Sequence, residues 1–149
     1  MPADTTSVPS THAVAAATPD FSYCAVGDER GCVMWGPTVG QLIARPELYH
    51  GRAIRTIGFL HLEFEGNGLF ASREDADHVF GSGLWVDVPD SMQAREAAVN
   101  DRYVIVEGRY HGGRSGHMGS SLGRIDSIVR LDVWPSRSEL KRRMPAVSR

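Results

Sequence analysis

The stretch Arg52–Glu65, RAIRTIGFLHLEFE, constrains the fold more than any other part of this chain. Ile54, Gly58, Leu60, Leu62 and Phe64 recur at period two, the spacing of one face of a β-strand. Ile57 and Phe59 put apolar groups on the other face before His61, Glu63 and Glu65 occupy it. The pattern predicts a long strand that is covered on both faces early and on one face late. Gly58 falls mid-strand, where a glycine permits a bulge or a sharp coil. Such a strand suits a sheet that bends until it closes on itself.

The rest of the chain supplies partners for it. Glu65-Gly66-Asn67-Gly68 has hairpin-turn chemistry and leads into a short strand, Leu69–Ser72. Ser72 is suited to cap a helical turn over Arg73–Asp77. Leu84–Val88 reads as a third strand ended by Pro89-Asp90, and a helix is expected from about Met92 to Val99. Tyr103–Tyr110 and Gly123–Trp134 read as the last two strands, the latter with Ile125, Val129, Leu131 and Val133 on one face. The expected fold is all-β with short helices: a five-stranded antiparallel barrel of the oligonucleotide/oligosaccharide-binding (OB) type, with its helix between strands three and four. Closure removes exposed edges, which suits strands this apolar. An open five-stranded sheet with a helix on one face is the other arrangement the pattern allows.

The organisation follows. Residues 1–20 are rich in Ala, Ser, Thr and Pro and read as a disordered arm. Residues 21–50 read as an extension with a strand or hairpin over 21–37 and a short helix over Val39–Ala44, capped by Thr38 and stopped by Pro46. The barrel spans 51–134, and 135–149 reads as a polar, basic tail.

Pro46-Glu47-Leu48-Tyr49-His50-Gly51-Arg52 fits the pattern PExYxGK/R that precedes the first strand of many bacterial OB-like domains. His61–Phe70, which contains HLEFEGN, follows it; then come Gly83–Asp87 and the run Gly116-His117-Met118-Gly119. With these motifs, residues 38–134 resemble a group of small uncharacterised bacterial proteins with an OB-like barrel. The resemblance implies the barrel and no activity. The chain departs from that pattern at Gly68 and Phe70, where the group places a small alkyl residue and a tyrosine.

The formal net charge of −2 argues against a general binder of nucleic acid or anionic membrane. The charge is uneven: residues 1–100 hold 6 Lys/Arg against 13 Asp/Glu, and residues 101–149 hold 10 against 5. Such a split can steer a partner, or it can reflect a solvated basic tail at Lys141-Arg142-Arg143. Cys24 and Cys32 are too far apart in sequence for a usual metal pair. They form a disulfide if the protein is exported and remain thiols in the cytosol. No apolar run is long enough to span a membrane. The N-terminus lacks a basic region and an apolar core, so the expected location is cytoplasmic, or periplasmic if residue 1 follows a removed export signal.

The candidate ligand or partner residues are His61, Glu63, Glu65, Asn67, Trp85, Arg114 and His117. His61, Glu63 and Glu65 alternate, so on a strand they share a face as an imidazole and two carboxylates, a weak candidate set for a metal or a polar outer face. Arg114 and His117 lie in a stretch with five glycines between the last two strands, expected to be a mobile loop bordering the ligand surface of an OB barrel. Trp85 faces away from Leu84 and Val86, either buried or placed for stacking. No Gly-x-Ser-x-Gly stretch sits at a strand-to-helix turn as a nucleophile elbow requires, and neither cysteine sits beside a base, so neither catalysis nor a cofactor is expected. The expected function is a non-enzymatic binding module for a protein partner, of inhibitor or immunity type. Single-stranded nucleic acid is the alternative, and a metal-binding protein or metal-dependent hydrolase using His61, Glu63 and Glu65 is a third.

Overall fold

The fold was analysed in a computed structural model that describes residues 23–78, 82–116 and 119–146. Five strands close into a mixed β-barrel: β3 (Ala53–His61), β4 (Gly68–Phe70), β5 (Leu84–Val86), β6 (Arg102–Ser115) and β7 (Ser121–Val133). The order around the barrel is β3-β4-β5-β7-β6, and β6 pairs back onto β3 along eight residues, from Ala53↔Arg109 to Leu60↔Arg102. The barrel is not antiparallel throughout, because β5 runs parallel to β7. A further antiparallel hairpin, β1 (Tyr23–Asp28) with β2 (Gly31–Gly36), joins β3 through one parallel pair, Trp35↔Ile54. Cys24 and Cys32 are joined by a disulfide across this hairpin.

The opening strand differs from its sequence pattern in two ways. Ile54 and Thr56 are buried while Ile57 is exposed, and the doubly covered part is Gly58–Leu60. Gly58 is required there, since a Cβ would come within 2.7 Å of the Phe70 carbonyl oxygen and 2.9 Å of Leu69 Cγ. The strand also stops at His61. The Leu62 N–H donates to Asn100 Oδ1 at 2.8 Å instead of continuing the ladder, and Gly66 N–H donates to the Glu63 carbonyl at 3.1 Å in a turn. Phe64, expected on the inner face, is 93% exposed.

The last strands differ too. Ser127 has φ 49°, and the β6–β7 register shifts between Glu107↔Arg130 and Arg109↔Asp126. This bulge turns Ile128 inward and leaves Val129 69% exposed, where strict alternation would bury Val129. The expected long glycine loop is short, because β6 extends through Gly112 and Gly113 to Ser115 and β7 begins at Ser121.

One core fills the barrel, with Ile54, Leu60, Leu69, Leu84, Val104 and Leu131 among its fully buried members. Two helical segments cover it. Thr38 and Gln41 form a reciprocal capping box at the start of α1 (Val39–Ala44), which buries Val39 and Leu42. Pro46 does not end the helical region but starts a second turn, α2 (Pro46–Tyr49), where its missing N–H costs nothing. Buried Tyr110 on β6 donates its hydroxyl to the Leu42 carbonyl at 3.0 Å, and burial pushes that phenol's pKa up to about 12. Between β5 and β6 the expected helix is a 3-10 segment, Asp90–Arg95, followed by one α-turn, Glu96–Val99, that buries Val99. A short helix, α3 (Arg73–His78), follows β4, with Asp75 N–H donating to Ser72 Oγ. The tail carries a helix at Arg137–Arg143, capped reciprocally by Ser136 and Glu139. No helix among the described residues is long and apolar enough to cross a membrane.

Candidate functional site

Strand register builds the site. His61 pairs with Gly68, Gly68 with Trp85, Trp85 with Arg124 and Arg124 with His111, so these residues form a row across β3, β4, β5, β7 and β6. Their chain neighbours Leu60, Leu69, Leu84, Ile125 and Tyr110 are fully buried, so the row lies on the outer face. Phe70 shares that face of β4. Its ring lies over Gly68 and Gly83, where a Cβ would come within 2.6 and 2.8 Å of it. The Trp85 ring lies over Gly116 (φ 78°) at a Cβ distance of 2.5 Å. Three glycines thus make room for two rings.

Between the rings, the 62–67 turn, α3 and the start of β7 is a cleft of about 440 Å³. Of the residues singled out in the sequence, His61, Glu63, Asn67 and Trp85 line it. Phe70, Asp77, His78, Ser120 and Ser121 are among the other lining residues. Glu63, Phe64, Glu65, Asn67 and Trp85 also share a second, shallower surface beside it. The three residues His61, Glu63 and Glu65 do not alternate along one strand, because Glu63 and Glu65 lie in the turn, and Glu65 has φ 60°. Arg114 is exposed outside the cleft lining, its guanidinium donating to the Gly119 carbonyl at 3.4 Å. His117 lies outside the described residues.

His61 is the best-connected polar group of the cleft. Its Nδ1 sits 2.6 Å from Asp101 Oδ1, and its Nε2 sits 3.5 Å from Glu63 Oε2. The hydrogen bond to Asp101 holds the imidazole above its ordinary pKa; burial works the other way, and Glu63 adds to the rise. Asn67 is tied into the sheet by its amide donating to the Val86 carbonyl at 3.4 Å. Trp85 Nε1 donates to Asp87 Oδ1 at 2.7 Å. From there a chain of charges runs along the row: Asp87 to Arg124 at 3.6 Å, Arg124 to Asp126 at 3.1 Å, and Asp126 to His111 at 3.0 Å. Burial alone would raise the Asp126 pKa. The hydrogen bond from His111, with Ser127 and Arg124, outweighs burial and leaves that carboxyl below its usual value.

Phe70 had a sequence signal in the repeated Gly-Leu-aromatic triplets Gly68-Leu69-Phe70 and Gly83-Leu84-Trp85. Asp77, His78 and Asp101 had none, since they reach the site only through the fold. Comparison with models of protein families, with curated proteins and with solved structures returned no match.

Proposed function

We propose that this protein is a non-enzymatic, OB-like binding module that docks a protein partner through the 62–67 turn and the adjoining cleft. The order β3-β4-β5-β7-β6, with the helical segment between β5 and β6, supports the OB-like reading. In such barrels the face of the second and third strands and the loops beside it carry the ligand, and β4, β5 and the 62–67 turn occupy that position.

One observation carries the partner. Phe64 is 93% exposed on a turn whose backbone is fixed at Leu62 by Asn100 and closed at Gly66. A phenylalanine left in water forgoes roughly 1.5–3 kcal/mol of burial free energy. With its turn tied at Leu62 and Gly66 and polar groups on either side, it has the form of an interface anchor that enters a partner's pocket. A nucleic-acid strand could stack on Phe70 and Trp85, but among the described residues no Lys or Arg lines the cleft to meet its phosphates. For a metal, no group of three or more His, Cys, Asp and Glu side chains among the described residues is arranged to hold one.

The test is quantitative affinity capture from the native cell extract, with the wild-type protein and Phe64→Ser side by side. A partner retained by the wild type should fall by about 30-fold on the variant, the loss expected of an interface hot spot. Equal capture by two equally stable proteins would remove the docking reading.

A further inference from the structure

We infer that the cleft beside the turn receives a cationic side chain, Arg or Lys, presented by the docked protein. This rests on the protein-docking reading above and adds the chemistry of what enters the cleft. Its charge is unbalanced. One imidazole, His61, faces two carboxylates, Asp101 behind the cleft wall at 2.6 Å and Glu63 in the lining at 3.5 Å, so the trio stays net negative even with His61 protonated; with Asp77 and the second lining imidazole, His78, three carboxylates still outnumber two imidazoles. Asp77 lines the same cleft, and among the described residues no cationic side chain pairs with it. Among the described residues no Lys or Arg lines the cleft.

The rings are a separate observation. Phe70 and Trp85 border one cavity, each set into place over glycine. Aromatic faces beside uncompensated carboxylates favour a cation: the rings attract it through their quadrupoles and the carboxylates through their charge. A guanidinium suits the site better than an ammonium, because it stacks on a ring while its edge donates to a carboxylate. An anion would meet repulsion from Glu63 and Asp77. A neutral sugar could use the rings but would leave both charges unmet. With Phe64 projecting outward and the cleft open beside it, the surface fits a partner whose apolar pocket is rimmed by basic residues.

The experiment is an NMR titration of the intact protein with N-acetyl-arginine amide, following the Trp85 indole N–H, assigned through Trp85→Phe among three tryptophans. The probe should move that resonance saturably. Binding should weaken about threefold to fivefold in Glu63→Gln and in Asp77→Asn, the range of an exposed ion pair. It should also weaken with added salt, while both variants melt at the wild-type temperature. A shift produced by maltotriose and not by the arginine probe would overturn the inference in favour of a sugar. No shift with either, or an arginine shift insensitive to both substitutions, would overturn it as well. A shift that appears on concentrating the protein alone, and disappears when Lys141, Arg142 and Arg143 are replaced by alanine, would assign the cation to a second copy and reject the separate partner. Failure of the titration with Phe64-dependent capture intact would remove the cation and keep the docked protein. Failure of both would remove both.

Discussion

Two charged surfaces of this barrel use the same residue types to opposite ends. On the outer face of β3, β6 and β7, Arg55 meets Glu107 at 2.6 Å and Glu107 meets Arg130 at 3.2 Å. Arg130 then meets Asp132 at 2.8 Å, and Asp132 meets Arg95 at 3.1 Å. Signs alternate along this ladder, and cross-strand register places Arg55 opposite Glu107 and Glu107 opposite Arg130. In the cleft, Glu63 and Asp77 have no Lys or Arg partner among the described residues, and Glu63 meets His61 at 3.5 Å. The fold pairs one set of charges with cations of its own and leaves the other set short of them. On the binding proposed above, the first belongs to the stability of the barrel and the second to what it binds.

The largest expected effect tests the ladder. The Glu107 side chain is only 13% exposed and serves two arginines. Glu107→Ala strands Arg55 and leaves Arg130 with Asp132 alone, and a lost partner for a part-buried charge costs about 1–3 kcal/mol. Urea unfolding should show a loss of about 2 kcal/mol, with the melting temperature lower by about 4–8 °C. Glu63→Gln in the cleft should stay within about 0.5 kcal/mol of the wild type, because its one ion-pair contact, His61 at 3.5 Å, is long and exposed. Equal losses at the two positions would erase the distinction.

A smaller effect separates the frame of the cleft from its charges. Gly116 has φ 78°, and a Cβ there would meet the Trp85 ring at 2.5 Å. Gly116→Ala should cost about 1 kcal/mol from the left-handed backbone and the displaced ring. It should also change the emission of Trp85 and weaken the arginine probe. Glu107→Ala should lower stability more and leave both signals unchanged. A Gly116 variant with wild-type emission would show that the glycine does not set the ring's position.

The particular residues explain what sequence could and could not reveal. Period two over Arg52–Leu60, the turn at 65–68 and the breaker Pro89-Asp90 are local features, and they placed the strands that close the barrel. The end of the first strand was not local. Leu62 and Phe64 continue the apolar alternation, yet Asn100, 38 residues on, takes the Leu62 N–H and ends the ladder. The bulge at Ser127 had no signal, because serine seldom occupies positive φ and nothing in its neighbours marks it. In the site, His61, Glu63, Asn67 and Trp85 stood out by chemistry at their own positions. Asp101 and Asp77 are ordinary acidic residues in sequence and acquire meaning only from distance. Cross-strand pairing decides whether an acid joins the ladder or the cleft, and composition does not contain it.

The smallest effect is a pH dependence, and it distinguishes the two surfaces most finely. Asp101 raises the folded-state pKa of His61, so the folded protein binds that proton more tightly than the unfolded chain does. The resulting stabilisation is complete below the unfolded value of about 6.5 and is lost as pH rises through the higher folded value. Asp126 behaves in the opposite sense: its lowered pKa gives stability that is present above about 3.9 and lost as pH falls through the folded value. Near neutral pH, therefore, His61 in the cleft should titrate while Asp126 stays ionised. NMR titration should place the His61 midpoint above that of an unstructured histidine, and Asp101→Asn should bring it down. The asparagine tolerates the φ of 55° at this position, so the backbone need not change. The ladder contains no histidine, and Asp132 and Glu107 hold the Arg130 guanidinium charged, with a pKa above its usual value. Glu107→Gln should therefore leave the neutral-range slope of stability against pH intact, and Asp101→Asn should flatten it. If Asp101→Asn leaves the His61 midpoint where it was, the imidazole is not held by Asp101, and the cleft's negative balance loses the pairing on which it was counted.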